Sequence, residues 1–143
     1  MSVTLLVGAV LSVMTAQRTM PPRQATLESS TDLVRALKRA GATVEEHGRA
    51  PRDAFPFFSP QATRLSVAGD DVHVFQYATA DEARREASHI SAAGSPIATT
   101  QITWMSPPRF YRKDRLIVLY VGTEPDVAHA LEAVLGRPFA GLR

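Results

Sequence analysis

Residues 64–90 read RLSVAGDDVHVFQYATADEARREASHI, and residues 108–134 repeat the same pattern as PRFYRKDRLIVLYVGTEPDVAHALEAV. Placed without a gap, the two stretches set Val74 on Val118. Each stretch runs through a strand, a polar turn and an apolar strand, and then through a threonine, an acidic turn and a helical pattern. The repeat therefore predicts two pseudo-repeated strand–strand–helix units.

Two details refine this prediction. Thr79 and Thr123 each precede acidic residues, which is typical of helix N-caps. Residues 116–121, LIVLYV, are apolar on both faces of a strand. This run predicts a central strand that is covered on both sides of the sheet.

The segments outside the repeat predict one further helix and two further strands. Ser30–Gly41 carries apolar residues at three- and four-residue spacing and ends in a glycine, which predicts a helix. Thr43–His47 is a candidate edge strand, because its adjacent glutamates discourage further pairing. Ile97–Met105 partly alternates apolar and polar residues, like another strand. Many strands joined by tight turns predict the α+β class, with an antiparallel sheet and helices on one face.

Gly48–Gln61 is the least regular part of the chain. It contains three prolines, which lack the N–H donor that a central strand needs, and it also contains Phe55, Phe57 and Phe58. Because phenylalanine rings favour burial, we expect this loop to fold over an open edge or face of the domain. The alternative is an exposed aromatic lip on a binding groove.

Size and composition exclude several classes of protein. The chain has 143 residues, of which 45% are hydrophobic and 21% charged, values typical of one globular domain. A net charge of +2 falls far short of the field of a nucleic-acid binder, although the pI is about 9.4. The sequence contains no cysteine, which excludes disulfides, thiolate zinc sites, thiol nucleophiles and lipoprotein acylation.

The N-terminal segment indicates export. Val3–Met14 is uncharged and apolar, too short to span a bilayer and typical of the hydrophobic region of a signal peptide. We therefore divide the chain into a signal peptide or apolar leader at 1–16, a linker at 17–28 and a single α+β domain at 29–143. A buried first strand and a misplaced start codon are the alternatives for the leader. We expect the protein to be secreted or in the cell envelope, with membrane contact only through this segment.

No set of residues favours catalysis. The string from Asp70 to His73 offers ligands to a cation, but aspartates are ordinary turn residues, and we predict no metal site. The sequence has no G-x-S-x-G elbow, no thiol and no glycine-rich phosphate loop. We therefore predict no catalytic residues and no cofactor, and a small hydrolase or metal-dependent enzyme is the alternative.

The turn of the second repeat combines basic side chains with aromatic rings, as surfaces for anionic polymers or lipids do. Together with the phenylalanines it forms the predicted ligand or partner surface. Nucleic acid is disfavoured because the leader directs the chain out of the cell, so an envelope component or a protein is the expected partner. The predicted surface comprises Phe55, Phe57, Phe58, Trp104, Arg109, Tyr111, Arg112, Lys113 and Arg115.

Six strings form a further pattern along the chain. They are FFSP at 57–60, LSVAG at 65–69, VHVFQY at 72–77, WMSPPRFY at 104–111, RLIVLYVG at 115–122 and LGRPFAG at 135–141. Together they resemble a family of small bacterial envelope proteins of lipoprotein type, over most of residues 31–141. The resemblance implies an exported domain without an established activity. This chain departs from the family by lacking the lipidated cysteine and by carrying Arg109 where a histidine often precedes Phe-Tyr.

The sequence thus predicts a secreted or envelope-associated, non-catalytic binding or interaction domain. The alternatives are a small hydrolase or metal-dependent enzyme, and a binder of anionic polymer or lipid through the basic hairpin. No motif identifies the ligand or the partner.

Overall fold

Three helices and six strands make up the regular structure of residues 26–142, the part of the chain that this computed structural model describes. In chain order they are α1 (Ser30–Arg39), β1 (Val44–Arg49), β2 (Thr63–Val67), β3 (Asp70–Gln76), α2 (Ala80–Ser88), β4 (Pro108–Lys113), β5 (Leu116–Val121), α3 (Pro125–Leu135) and β6 (Ala140–Gly141). The strands form one sheet in the order β1-β2-β3-β5-β4-β6, and every neighbouring pair is antiparallel. The α+β class and the antiparallel sheet are confirmed.

The repeat in the sequence corresponds to a local symmetry at the centre of the sheet. Val74 of β3 lies opposite Val118 of β5, the residue on which the gapless alignment sets it. The register is symmetric about this pair, because β3 and β5 run antiparallel and pair over five residues each. Each central strand also forms a hairpin with its predecessor, β2 or β4. The two strand–strand units therefore meet through their second strands.

The first hairpin turns through Ala68 and Gly69. Both residues have positive φ angles, +49° and +90°. Two-residue hairpin turns of the primed types need this left-handed backbone, since it matches the twist of the flanking strands. Glycine meets the requirement without strain, whereas the alanine pays a steric cost.

The helices cover both faces of the sheet, which differs from the prediction that they gather on one face. On the first face, α1 and α3 pack against side chains such as Val74, Val118 and Tyr120. On the second face, α2 packs against Ile117 and other side chains of the central strands. The apolar run of β5 explains this arrangement. Its alternate residues project to opposite faces, and all but the last are buried, so each face needs a cover.

The two repeats begin their helices differently. The Thr79 hydroxyl accepts a hydrogen bond of 3.1 Å from the Glu82 N–H and caps α2, as predicted. Thr123 does not cap α3, whose N-cap is Glu124 and has no side-chain bond of this kind. Instead, the Tyr120 hydroxyl accepts from the Glu124 N–H at 3.0 Å. The predicted threonine cap of the second helix is therefore wrong, because the helix begins one residue later, and Tyr120 binds the N–H of the N-cap residue itself.

The strand predicted over 97–105 does not form. Ile97 makes only isolated bridges, to Ile90 and Thr100. The outer edge of β4, where a further strand would pair, is occupied by the two-residue strand Ala140–Gly141, which the sequence analysis missed. A glycine-containing pair of residues has no periodicity from which a strand can be inferred.

The folded domain begins before residue 29, inside the predicted linker. The side chain of Leu27 is buried in the core of the first face. Its N–H donates to Oδ2 of Asp114 at 2.8 Å, and its carbonyl accepts from the Arg115 N–H. These bonds fasten the segment to the turn of the second hairpin.

The predicted leader, residues 1–16, and the first part of the linker lie outside the described residues. Of the predicted linker, the structure describes residues 26–28. None of the helices within 26–142 has the length and the apolar character that a membrane crossing requires.

Candidate functional site

The phenylalanine loop, residues 50–62 between β1 and β2, covers part of the second face. The ring of Phe58 is buried and lies 4.3 Å from the ring of Phe75, measured between centroids. Phe55 approaches the same ring at 5.4 Å, and Phe57 packs on Phe58 at 4.9 Å. Centroid separations of this size are typical of favourable aromatic packing. The loop therefore folds over a face of the sheet, as the sequence analysis expects.

Trp104 extends this aromatic layer. Its ring centroid lies 5.8 Å from Phe110 and 6.5 Å from Phe57. Its indole N–H donates to the carbonyl of Gly94 at 2.9 Å, which fixes the ring plane. Met105, the next residue, is fully exposed. The aromatic residues of the predicted surface are thus largely packing residues, with partly exposed edges at Phe55, Phe57 and Trp104.

Three cations of the predicted surface are held by backbone carbonyls. Arg109 donates to the carbonyl of Gly122, Lys113 to that of Val134 and Arg115 to that of Tyr77, each at 3.0 Å. These bonds stabilise the ends of strands and helices around the second hairpin. The side chains are therefore already engaged in the fold.

The basic residues also do not share one face. Side chains along β4 alternate between the two faces of the sheet. Arg109 and Lys113 therefore project to one face, and Arg112 projects to the other. Tyr111 lies between them and is completely buried in the core of the first face, where desolvation raises its pKa to about 12. Tyr111 and Phe58 offer no surface to a partner, which corrects their place in the predicted site. The structure does not gather the hairpin cations into one patch.

A pocket of about 430 Å³ opens between the phenylalanine loop and α2. Its volume lies within the range of small-molecule sites. We call it the Tyr77 pocket. It is lined by Ser59, Tyr77, Glu82, Arg85, Glu86 and His89.

The sequence of α2 explains how its polar side chains come to face this pocket. Ala83 and Ala87 are buried and form the side of the helix that packs on the sheet. Glu82, Glu86 and His89 are spaced by four and three residues, so they lie on one side of the helix, next to the side that carries the alanines. Glu86 reaches the phenylalanine loop, where its carboxylate accepts from Ser59.

A hydrogen bond closes one wall of the pocket. The Ser59 hydroxyl donates to Oε1 of Glu86 at 2.7 Å and ties the phenylalanine loop to α2. Oε2 of Glu86 lies 3.8 Å from Nδ1 of His89, a separation at which the two attract when the imidazole is protonated. Ser59 is placed by its neighbour Phe58, whose buried ring anchors the loop.

Tyr77, which lines the pocket, carries an unpaired hydroxyl that is itself shielded from solvent. The side chain is 4% exposed, and its hydroxyl is buried without a hydrogen-bond partner among the described residues. Desolvation, together with the negative charge of Glu86, raises the pKa of Tyr77 far above its ordinary value, so the hydroxyl stays neutral. Leaving such a group unpaired costs about 1–3 kcal/mol.

The backbone of Tyr77 is bound to Arg115 on both sides of its peptide. Its backbone N–H donates to the carbonyl of Arg115 at 2.9 Å. Its own carbonyl accepts from Nε of Arg115 at 3.0 Å. These two bonds fix the point from which the Tyr77 side chain projects.

The D-D-x-H string at the first hairpin has structural roles. Oδ2 of Asp70 accepts from the Tyr120 hydroxyl at 2.8 Å. The ring of His73 packs at a tilt against Phe55, with the centroids 4.6 Å apart, and burial lowers the pKa of His73. Within residues 26–142, no three side chains of the His, Asp, Glu or Cys type are placed to hold a metal ion together.

The Tyr77 pocket does not resemble a nucleophilic site. Activation of a serine requires a base within hydrogen-bond reach that takes its proton, with a third group to orient the base. Here the Ser59 hydroxyl bonds to the carboxylate of Glu86, and the imidazole of His89 lies on the far side of that carboxylate. The arrangement holds polar groups in fixed positions and supplies hydrogen-bond donors and acceptors to a ligand.

Sequence reasoning did not identify this pocket. Its residues come from a loop, a strand end and a helix, and each is an ordinary residue in its own segment. One local signal was present. The acidic residues of α2 recur on the side of the helix adjacent to its buried alanines, and a tyrosine directly follows the strand before them.

Comparisons with known proteins give no match to this chain among protein-family models, curated proteins or solved structures. The resemblance to bacterial envelope proteins therefore stays a prediction.

Proposed function

We propose that this protein is an exported, non-catalytic binding domain whose ligand site is the Tyr77 pocket. The observation that carries this proposal is the pocket itself, about 430 Å³ in volume and lined by five polar or charged side chains besides Tyr77. A cavity of this size with a few convergent polar groups is the usual form of a small-molecule site.

The walls of the pocket support the same proposal. Ligand sites are usually preformed and carry a few polar groups in fixed positions. The Ser59–Glu86 bond and the aromatic packing of Phe58 hold the loop against α2. A ligand therefore has little ordering of the site to offset when it binds.

The proposal of export is supported by the sequence alone. The apolar run Val3–Met14 and the resemblance to envelope proteins both favour it. The alternative of an anionic polymer or lipid bound by the basic hairpin has less support, because Arg109, Lys113 and Arg115 are engaged by backbone carbonyls.

A protein-observed NMR screen tests the binding site. The probes are butylammonium chloride, sodium butyrate and xylitol, added separately to ¹⁵N-labelled protein. We expect at least one probe to shift backbone amides clustered around Tyr77, Glu82 and Glu86. Shifts that scatter over the surface, or that are absent for all three probes, would contradict the proposal.

A pocket-filling variant provides the control. Ser59→Trp places a bulky ring at the wall of the pocket and should abolish the clustered shifts. Thr99→Trp adds the same ring at an exposed loop position and should leave them unchanged. Both proteins must keep the wild-type spectrum elsewhere, which shows that the fold is intact.

A further inference from the structure

We infer that a second pocket, between α1 and α3, binds a small aliphatic carboxylate. This α1–α3 pocket lies on the first face of the sheet, whereas the Tyr77 pocket lies on the second, so the inference goes beyond the proposed function. Its volume of about 270 Å³ is slightly below the range of drug-sized ligands and suits a short chain. The pocket is lined by Leu27, Ala36, Arg39, Ala40, Lys113, Ala133 and Val134.

The walls of the α1–α3 pocket are mostly apolar. Leu27 is buried in the core of the first face, and Val134 is partly buried against that core. Ala36, Ala40 and Ala133 have one-carbon side chains, so the two helices leave a groove between them. Such walls favour an alkyl chain, since burial of each methylene group strengthens binding about fourfold.

The charges of the lining favour an anion. Arg39 and Lys113 contribute two positive charges, and no acidic residue of the described chain lines the pocket. Asp114, beside Lys113 in the chain, accepts from the Leu27 N–H at 2.8 Å and is not part of the lining. The C-terminal ends of α1 and α3 lie at the pocket, and each carries a negative charge of about one half. The two cations exceed these half charges, so the lining keeps a positive excess that a carboxylate compensates.

The two cations have different roles. Nζ of Lys113 donates to the carbonyl of Val134 at 3.0 Å, which holds its positive charge at the end of α3. Arg39 is exposed at the end of α1, and no hydrogen bond or ion pair within residues 26–142 engages its guanidinium. A guanidinium presents its N–H donors in a fork that matches the two oxygens of a carboxylate. The ligand carboxylate therefore binds to Arg39, and its alkyl chain lies along the apolar walls.

Titration calorimetry with sodium hexanoate tests this inference, with 1-hexanol and hexylammonium chloride as ligands of matched length. We expect hexanoate to bind at least about tenfold more tightly than either matched ligand. Sodium butyrate, which is two methylene groups shorter, should bind about tenfold more weakly than hexanoate. Arg39→Gln removes the guanidinium and should weaken hexanoate binding about tenfold. Lys38→Gln is the matched control, because it removes an exposed cation of α1 that does not line the pocket, and it should leave the affinity unchanged.

A second pair of variants locates the bound ligand. Ala133→Phe fills the α1–α3 pocket and should abolish hexanoate binding, whereas His129→Phe adds the same ring at an exposed position of α3 outside the lining and should not. Ser59→Trp, which blocks the Tyr77 pocket, should also leave hexanoate binding unchanged, so the two sites stand or fail separately. The inference is overturned if hexanoate does not bind, if hexylammonium binds as tightly, or if Arg39→Gln or Ala133→Phe keeps the wild-type affinity.

Discussion

At the residue scale, three buried tyrosines show how one hydroxyl group can have opposite effects on stability. The Tyr120 hydroxyl donates to Asp70 at 2.8 Å and accepts from the Glu124 N–H at 3.0 Å, so it joins the start of β3 to the start of α3. The hydroxyls of Tyr77 and Tyr111 are buried without a partner among the described residues. A hydrogen-bonded hydroxyl stabilises the fold, whereas an unpaired buried one costs free energy.

Three phenylalanine variants test this contrast. Tyr120→Phe leaves two partners unpaired and should lower the free energy of unfolding by about 1–3 kcal/mol. Tyr111→Phe and Tyr77→Phe remove an unpaired group and should leave that free energy unchanged or raise it. Urea denaturation of the ligand-free proteins measures all three values. Equal losses in the three variants would show that the hydroxyls of Tyr77 and Tyr111 do have partners.

The buried imidazole of His73 couples stability to pH. Burial lowers its pKa below 6.5, so the folded state binds fewer protons than the unfolded state in the window below that value. The contribution of His73 is present above pH 6.5 and is lost as the pH falls through the lowered pKa. His73→Phe keeps the ring contact with Phe55 and removes the titrating group.

We therefore expect the wild type to lose more free energy of unfolding between pH 7 and pH 5 than His73→Phe does. The exposed His129 provides the control, and His129→Gln should keep the wild-type dependence. The measurement is urea denaturation at both pH values. An identical loss in the wild type and in His73→Phe would contradict the assignment.

At the scale of elements, the phenylalanine loop acts as part of the core of the second face. Phe58 is buried among Phe75 and Phe110, with ring centroids 4.3 and 6.3 Å away. The loop has no regular structure of its own, and yet its side chains complete a layer that α2, with only nine residues, cannot cover alone. This packing also positions Ser59 at the wall of the Tyr77 pocket.

Truncation of the loop's anchor should therefore affect the whole domain. Phe58→Ala should lower the free energy of unfolding by about 3–5 kcal/mol, the usual cost of deleting a buried phenylalanine ring. Met105→Ala removes a fully exposed side chain and should change it by less than about 0.5 kcal/mol. Thermal or urea unfolding measures both. A Phe58→Ala protein as stable as Met105→Ala would mean that the loop is an exposed lip.

Local patterns predicted most of the elements but not their arrangement. The helical spacing of α1 and the apolar run of β5 are visible in the sequence, because each depends on neighbours in the chain. α2 covers the face of the sheet that α1 and α3 leave open. No pattern within the sequence of α2 indicates which face this is. The two residues of β6 form a strand only because β4 offers them an edge.

The site was less predictable than the fold for the same reason. The aromatic and basic residues of the predicted surface are conspicuous by type, but packing and backbone carbonyls engage most of them. The pocket unites Ser59, Tyr77 and one side of α2 through tertiary contacts. An unpaired hydroxyl is a property of the packed interior, which single-sequence reasoning does not reach.

At the scale of the whole molecule, the proposed export gives a prediction about the mature chain. Cleavage after Ala16 would yield a protein that starts at Gln17, ten residues before the buried Leu27. We expect bacterial cells that produce the full chain to hold this form outside the cytoplasm. Fractionation followed by mass spectrometry of the intact protein measures both properties. A chain that retains residues 1–16 and fractionates with the cytosol would contradict export.

The central claim is that the Tyr77 pocket binds a small molecule. Crystal structures of the protein with saturating butylammonium chloride, sodium butyrate or xylitol test it most directly. The account predicts that at least one of these probes lies in the pocket, within hydrogen-bond distance of Ser59, Glu82 or Glu86. An empty pocket in all three structures would contradict the claim.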